Sequence, residues 1–294
     1  VSGQEPDPIG AYTEAATASA ATVIRFYSTS FGAAARLLEP VVREQVRSIY
    51  ALVRVADEVV DGAAAAAGLD LRTQLEQLDD LERETERAMA IGFSTNLVVH
   101  AFAVTARLTG IGTDLTAPFF ASMRRDLDAD PLDDDEVAAY IHGSAEVVGL
   151  MCLRAFIIGS HPSPTALAEL EDGATHLGAA FQKVNFLRDL SADWVRLGRN
   201  YFPGVDPAHL TEHQKHLILD DIDLDLAIAG RCIPHLPRGS RAAVAAAHAL
   251  FARLAAKLRG TPAGSLLTAR VRVPDAEKLT IAVHAALTSG GRER

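Results

Sequence analysis

Asp57 and Asp61 stand four residues apart in Tyr50-Ala-Leu-Val-Arg54-Val-Ala-Asp57-Glu58-Val-Val-Asp61, among residues that favour helix. On a helix this spacing stacks both carboxylates on one face. Arg43, Arg47, Tyr50 and Arg54 lead into the pair by steps of three or four, making one polar stripe. Val42, Val46, Ile49, Val53, Ala56 and Val60 form an apolar stripe beside it. Paired carboxylates with arginines suit a divalent metal that carries a phosphate group. A solvated charged face is the other reading of one such pair taken alone.

Gln182, Asn185, Asp189, Asp193 and Arg196 repeat the pattern in Phe181-Gln-Lys-Val-Asn-Phe-Leu-Arg188-Asp189-Leu-Ser-Ala-Asp193. Two Asp-x-x-x-Asp pairs on separate helices can face each other and hold Mg²⁺, or Mn²⁺, between them. Magnesium prefers oxygen ligands and completes its shell with water and substrate phosphates. The candidate metal ligands are therefore Asp57, Asp61, Asn185, Asp189 and Asp193, in a site that handles diphosphate.

The elements that position these groups read as helices throughout, with no convincing run of period-two alternation. Periodicity places them at about 9–27, 32–38, 41–61, 70–91, 95–109, 115–127, 134–159, 163–196, 214–233, 238–259 and 274–288. Ala63–Ala67 reads as a loop or a frayed helix end, and prolines such as Pro40, Pro118, Pro131 and Pro162 read as breaks between segments. One all-α domain over 9–294, behind a flexible tail of residues 1–8, is the economical organisation. Two further acidic groups compete with the chosen pairs. Asp126 to Asp135 straddles Pro131 and reads as a solvated loop with an N-cap ahead of Glu136. Asp221 and Asp225 read as the polar side of an amphipathic helix, where substitution should be nearly silent.

The 294 residues, 49% hydrophobic and 22% charged, suffice for one large domain with a filled core. A net charge of −10 argues against nucleic acid as a partner. It leaves room for a local basic pocket of Arg36, Arg43, Arg47 and Arg54. Cys152 and Cys232 lie in apolar helical contexts and read as buried free thiols of a reducing compartment. No charged n-region followed by an apolar h-region opens the sequence. The apolar stretch Val147–Gly159 is broken by Arg154 and is too short to span a bilayer. The expectation is a soluble cytoplasmic protein, with peripheral membrane contact and oligomeric state left open.

In these residues the chain resembles the squalene/phytoene synthase family of head-to-head prenyl transferases, over about Ser28 to Lys278. Tyr27-Ser28-Thr29-Ser30-Phe31 resembles the opening serine element, whose hydroxyls the family uses near the substrate diphosphate. Arg54-Val-Ala-Asp57-Glu58-Val-Val-Asp61 resembles the first aspartate motif. Tyr140-Ile-His-Gly143-Ser144-Ala-Glu-Val-Val148-Gly149 resembles the central tyrosine and small-residue helix. Asn185-Phe-Leu-Arg188-Asp189-Leu-Ser-Ala-Asp193, with Gly198-Arg199-Asn-Tyr201-Phe-Pro203, resembles the second aspartate motif and its tail. Arg270-Val-Arg272-Val273 with Lys278 resembles a weaker basic element.

The resemblance implies a class I isoprenoid-synthase fold, a helical bundle around a deep cavity with metal and diphosphate at its mouth. It implies catalytic roles for Tyr50, Arg54, Tyr140 and Arg188. It implies substrate contacts from Ser28, Ser30, Arg54, Ser144, Val148, Gln182, Asn185, Arg188, Arg199, Tyr201 and Arg270. The reaction it points to first joins two geranylgeranyl diphosphates through a cyclopropylcarbinyl diphosphate to phytoene, with no NADPH. Squalene or dehydrosqualene synthesis from farnesyl diphosphate, prenyl transfer to a non-isoprenoid acceptor, and a non-catalytic assembly role are the alternatives. Tyr140, Ser144, Val148, Met151 and Ala155 form a stripe that could line the tunnel or simply pack. His142, off that stripe, reads as structural or superficial. Phe251 stands where relatives commonly carry tyrosine and Val184 where many carry threonine, so a hydroxyl is missing at each place.

Overall fold

The computed structural model describes residues 7–28, 32, 34–128, 130–197 and 199–289, with the side chains of residues 192, 193, 195–197 and 289 outside that description. Among the described residues there is no strand. The helices are α1 (Pro8–Tyr27), α2 (Pro40–Asp61), α3 (Ala63–Ala66), α4 (Leu71–Ile91), α5 (Leu97–Thr109) and α6 (Thr113–Arg125). Then come α7 (Asp134–Ile141), a π-helical turn (His142–Glu146), α8 (Val147–Phe156), α9 (Pro164–Leu197), α10 (Glu212–Cys232), α11 (Arg238–Arg259) and α12 (Asp275–Ser289). No helix among them is long and apolar enough to cross a membrane.

Local chemistry fixes the boundaries. Pro8 and Pro40 open α1 and α2, where a missing N–H costs nothing. Asp70 caps α4 and Asn96 caps α5, each accepting from backbone N–H groups. Asp133 with Glu136, and Thr211 with Gln214, form reciprocal capping boxes at the starts of α7 and α10. The N-cap expected ahead of Glu136 is thus present.

Three expectations change. Arg36–Leu38 turn rather than continue a helix, because Pro40 disfavours helix just before it. Arg43 Nη2 donates to the Leu38 and Arg36 carbonyls at 2.7 and 3.1 Å, tying that turn to α2. Pro118 lies inside α6, where only the Asp114 carbonyl loses its helical partner. The single helix expected over 134–159 is interrupted by the π turn, which inserts one residue and rotates everything after it.

Two cores flank the middle of the molecule. One joins α2, α4, α5, α6 and α8 around Ile49, Leu52, Phe102, Phe119, Phe120 and Met151. The other joins α9, α10 and α11 around Val184, Leu187, Leu219, Ile222 and Leu258. α8 and α9 meet backbone to backbone. A Cβ on Gly178 would lie 2.6 Å from the Ala145 carbonyl oxygen, and one on Gly149 would lie 2.6 Å from that of Ala174. Only glycine permits that approach, and it sets α8 antiparallel to α9 with Ala145 beside Gly178 and Gly149 beside Ala174.

Candidate functional site

Between the two cores lies a cavity of about 1050 Å³, at the upper end of the ~300–1,000 Å³ common for ligand pockets. α9 gives it a continuous wall, Leu170, Gly173, Ala174, Leu177, Gly178, Phe181, Asn185 and Arg188. These positions recur by three or four residues, so one face of one helix is presented throughout. At about 1.5 Å per residue the wall runs about 22 Å from Asn185 down to Leu170. Its polarity is graded. Ser28, Tyr50, Arg54, Asn185, Arg188, Arg270, Arg272 and Lys278 line one part, and Leu153, Phe156, Leu170, Ile233, Leu236 and Val244 another. Leu153, Leu170, Leu236 and Val244 are buried together, which closes the apolar end.

At the polar end α2 supplies the first acidic motif. Arg54 binds both Asp57 and Glu58, and its guanidinium sits 4.4 Å over the Tyr27 ring. Tyr50 is hydrogen-bonded to Ser28, and burial pushes its phenol up despite the nearby Arg54 charge. Burial also pushes Asp57 up to about 6; Arg54 and Arg199 oppose this, whereas Asp61 and Glu58 add to it. Asp61 is half-exposed and accepts from Arg199 Nη1 at 2.8 Å.

α9 supplies the second motif. Asp189 is gripped by Arg188, whose Nε lies 3.0 Å from Oδ1, and by Arg270, whose Nε lies 2.6 Å from the same oxygen. Arg54 of the first motif and Asn185 and Arg188 of the second line the cavity together with Arg270, whereas Asp57, Asp61 and Asp189 are not among the residues that line it. Asp193 falls on α9, but its side chain lies outside the described residues, as does the whole of Ser30. Gln182 is half-buried and is not among the residues that line the cavity.

The wall expected from α8 is half right. Ser144 and Val148 line the cavity; Met151 and Ala155 do not, and are packed in the first core. The added residue of the π turn swings the wall onto Ala145, Gly149, Cys152, Leu153 and Phe156. Cys152 and Cys232 are free and both border the cavity, and burial raises the Cys152 thiol to about 12. Phe251 stacks on Phe181 with ring centroids 3.7 Å apart, making an apolar plate in the wall. His142 is exposed and paired with Glu146 at 2.9 Å.

Tyr140 and Tyr201 do not line the cavity; both are buried behind it. Tyr140 donates to Asp126 at 2.8 Å, and Tyr201 to the same carboxylate at 3.3 Å. Asp126 is therefore not part of a solvated loop. Its side chain is 6% exposed and burial raises it to about 6, against the pull of Arg199 and the Tyr140 hydrogen bond. The signal was present in the sequence. Leu115, Phe119 and Ser122 or Met123 lead to Asp126 by steps of three or four, so it continues the buried face of α6. Asp225 is also misplaced by sequence reasoning. It is buried, accepting from His176 Nδ1 at 2.7 Å and from Lys183 at 2.8 Å.

Among the described residues no three Asp, Glu, His or Cys groups converge as a ready metal cluster. The oxygen donors are instead engaged by arginines: Asp57 by Arg54, Asp61 by Arg199, and Asp189 by Arg188 and Arg270. A metal–diphosphate unit suits such an arrangement, because it offers a cation to each acid and an anion to each arginine released.

The squalene/phytoene synthase family model matches residues 24–277. Phytoene synthase of Mycobacterium tuberculosis is 29% identical over 261 residues, covering 82% of this chain and 81% of that protein. The 15-cis-phytoene synthase of a Paracoccus species is 31% identical over 179 residues, 60% of this chain and 56% of that one. A crystal structure of a dehydrosqualene synthase in complex with ligand superposes with a TM-score of 0.80 at 21% identity, covering 97% of this chain and all of that one.

Proposed function

The chain belongs to the squalene/phytoene synthase family, enzymes that transfer prenyl groups, and from that premise we propose that it condenses two geranylgeranyl diphosphates head to head to phytoene, with Mg²⁺ or Mn²⁺ and without NADPH. The observation that carries this reading is the deep cavity, charged at one part and apolar at its buried end. Extended chains advance about 1.15 Å per bond, so the 16-carbon main chain of a C20 prenyl group reaches about 17 Å. The wall below Asn185, about 22 Å long by helical rise, takes that length with the tail ending near Gly173 and Ala174, above Leu170.

Asp57, Asp61, Asn185, Asp189 and Asp193 would hold the metal. When bound, the ion supplies positive charge to the departing diphosphate. Arg54, Arg188 and Arg270, released from their carboxylates, grip diphosphate oxygens, and Ser28 and Tyr50 add hydroxyls at the same end. One prenyl diphosphate loses its diphosphate to give an allylic cation, which alkylates the second molecule; loss of a proton to the released diphosphate then closes the ring of a cyclopropylcarbinyl diphosphate. That intermediate ionises, rearranges and loses a proton. Phe181, Phe251 and the aliphatic wall keep water from the cations.

The test is incubation with C15 and C20 diphosphates separately, with Mg²⁺ and with or without NADPH, followed by product mass. A C40 hydrocarbon made without NADPH is the expected result. A C30 product would transfer the reading to squalene or dehydrosqualene synthesis.

A further inference from the structure

We propose that Asp126 is a positioning residue of the site, locking Tyr140 and Tyr201 behind the cavity and, through Arg199, fixing Asp61 at the end of α2. The inference rests on the reading of Asp61 as a metal ligand. Its geometry is independent of that reading. Tyr140 Oη donates to both Asp126 oxygens, at 2.8 and 3.0 Å, and Tyr201 Oη donates to Oδ1 at 3.3 Å. Arg199 is held at two points by the same residue, with Nη2 donating to the Asp126 carbonyl at 2.6 Å and Nη1 lying 3.7 Å from its carboxylate. That same Nη1 donates to Asp61 at 2.8 Å.

Stacking stiffens the arrangement. The Tyr201 ring lies 4.0 Å from that of Phe186, nearly parallel, and 5.2 Å from that of Tyr140. Two segments, α7 through Tyr140 and the stretch after α9 through Arg199 and Tyr201, thus converge on one carboxylate at the end of α6, and Arg199 links it on to Asp61 at the end of α2. A buried carboxylate is expensive unless fully partnered, so a packing role alone would be met better by an apolar side chain. What the acid adds is direction. It aims one guanidinium at Asp61, in the way that outer partners orient the ligands of metal sites.

The test is a double-mutant cycle on the full chain, read by calorimetric binding of inorganic pyrophosphate with Mg²⁺. Asp126→Asn keeps the size and one acceptor, and removes the charge. We expect it to remain folded by circular dichroism and to weaken binding about 10–100-fold, the usual effect of losing an outer partner of a metal ligand. Arg199→Ala should weaken binding similarly, and the double variant no further, since both act through one contact. Additive losses, or wild-type binding by folded Asp126→Asn, would overturn the proposal. Tyr140→Phe with Tyr201→Phe is the second probe, which keeps volume while removing both phenol donors. It should weaken binding by the same route, and unchanged binding in that folded variant also overturns the proposal. Product analysis is a separate arm. A product other than phytoene, with the coupling intact, sinks the functional reading and supports the positioning role.

Discussion

Arg199 reaches 138 positions back along the chain to donate to Asp61 at 2.8 Å, tying the segment after α9 to the end of α2. The same device appears in the second motif, where Arg270 binds Asp189 from 81 positions away. Each acidic motif is therefore balanced by an arginine from a distant segment. Charges that would otherwise repel are neutralised without a ligand, and a metal–diphosphate unit can replace both partners of a pair at once.

Turnover should vanish in Asp57→Ala, Asp61→Ala, Asp189→Ala and Asp193→Ala, each with a wild-type circular dichroism spectrum. EDTA should abolish activity and Mg²⁺ restore it. Two of these variants within tenfold of wild-type kcat/KM would sink the metal assignment.

Arg54→Lys keeps the charge and should still lower kcat severely, by about 10²-fold or more if it holds the departing diphosphate. The guanidinium binds Asp57 and Glu58 together and lies over Tyr27, a forked and stacked geometry that an ammonium cannot copy. Steady-state kinetics with C20 diphosphate decides it. An unchanged rate would reduce Arg54 to a structural partner of its own helix.

Much of this was legible in the sequence because it is written in helical spacing. The paired acids, Arg54, Asn185 and Arg188 all fall on faces that the period of 3.6 fixes by itself. What was not legible depends on tertiary partners. The face of α6 already pointed to burial of Asp126, but nothing local to Asp126 or Asp225 announces the phenols, His176 or Lys183 that partner them. The π turn was hidden for a related reason: its extra residue depends on Gly143 approaching the Pro118 carbonyl, where a Cβ would lie 2.2 Å away. Met151 and Ala155, which lie beyond it, consequently fall one register short of the wall.

Asp225→Ala should accordingly be far from silent. Removing it leaves Lys183, 19% exposed, and His176 without their buried acceptor, a loss of about 3 kcal/mol. Asp221→Ala, at 56% exposure, should cost at most about 1 kcal/mol. Urea unfolding of the two variants side by side checks the contrast, and equal losses would refute the burial argument.

In the metal-free protein, Asp57 and Asp126 should each favour the folded state more as pH falls from about 7 toward 4. Burial raises folded Asp57 and Asp126 to about 6, above their unfolded value of 3.8. A raised acid favours the folded state most below its unfolded value, and that contribution is lost as pH rises through the folded one. Asp57→Asn should therefore melt higher than wild type at pH 7.5, with the gap closing near pH 4. A gap that is flat across this window would show that Asp57 ionises normally.

The depth of the cavity gives the sharpest test of substrate length. Gly173 lies twelve residues before Asn185 on α9, about 18 Å down the wall by helical rise. A C20 tail reaches about 17 Å and a C15 tail about 13 Å in extended form, so the longer one ends within about 1 Å of that level and the shorter one about 5 Å above it. Cys232 seats there, so close that a Cβ on Gly173 would lie 2.5 Å from its own Cβ. Cys232→Phe adds a ring at that level, and a packed apolar floor resists extra volume at a cost of about 1–3 kcal/mol. It should lower kcat/KM for C20 diphosphate by about tenfold or more and leave C15 nearly unchanged. Ser144→Phe is the contrast. Ser144 precedes Ala145, which abuts Gly178, so its ring enters about 10 Å below Asn185 and obstructs both lengths alike. If Cys232→Phe instead penalises C15 and C20 equally, the prenyl tail does not run down α9 toward Leu170, and the geranylgeranyl reading loses its structural support.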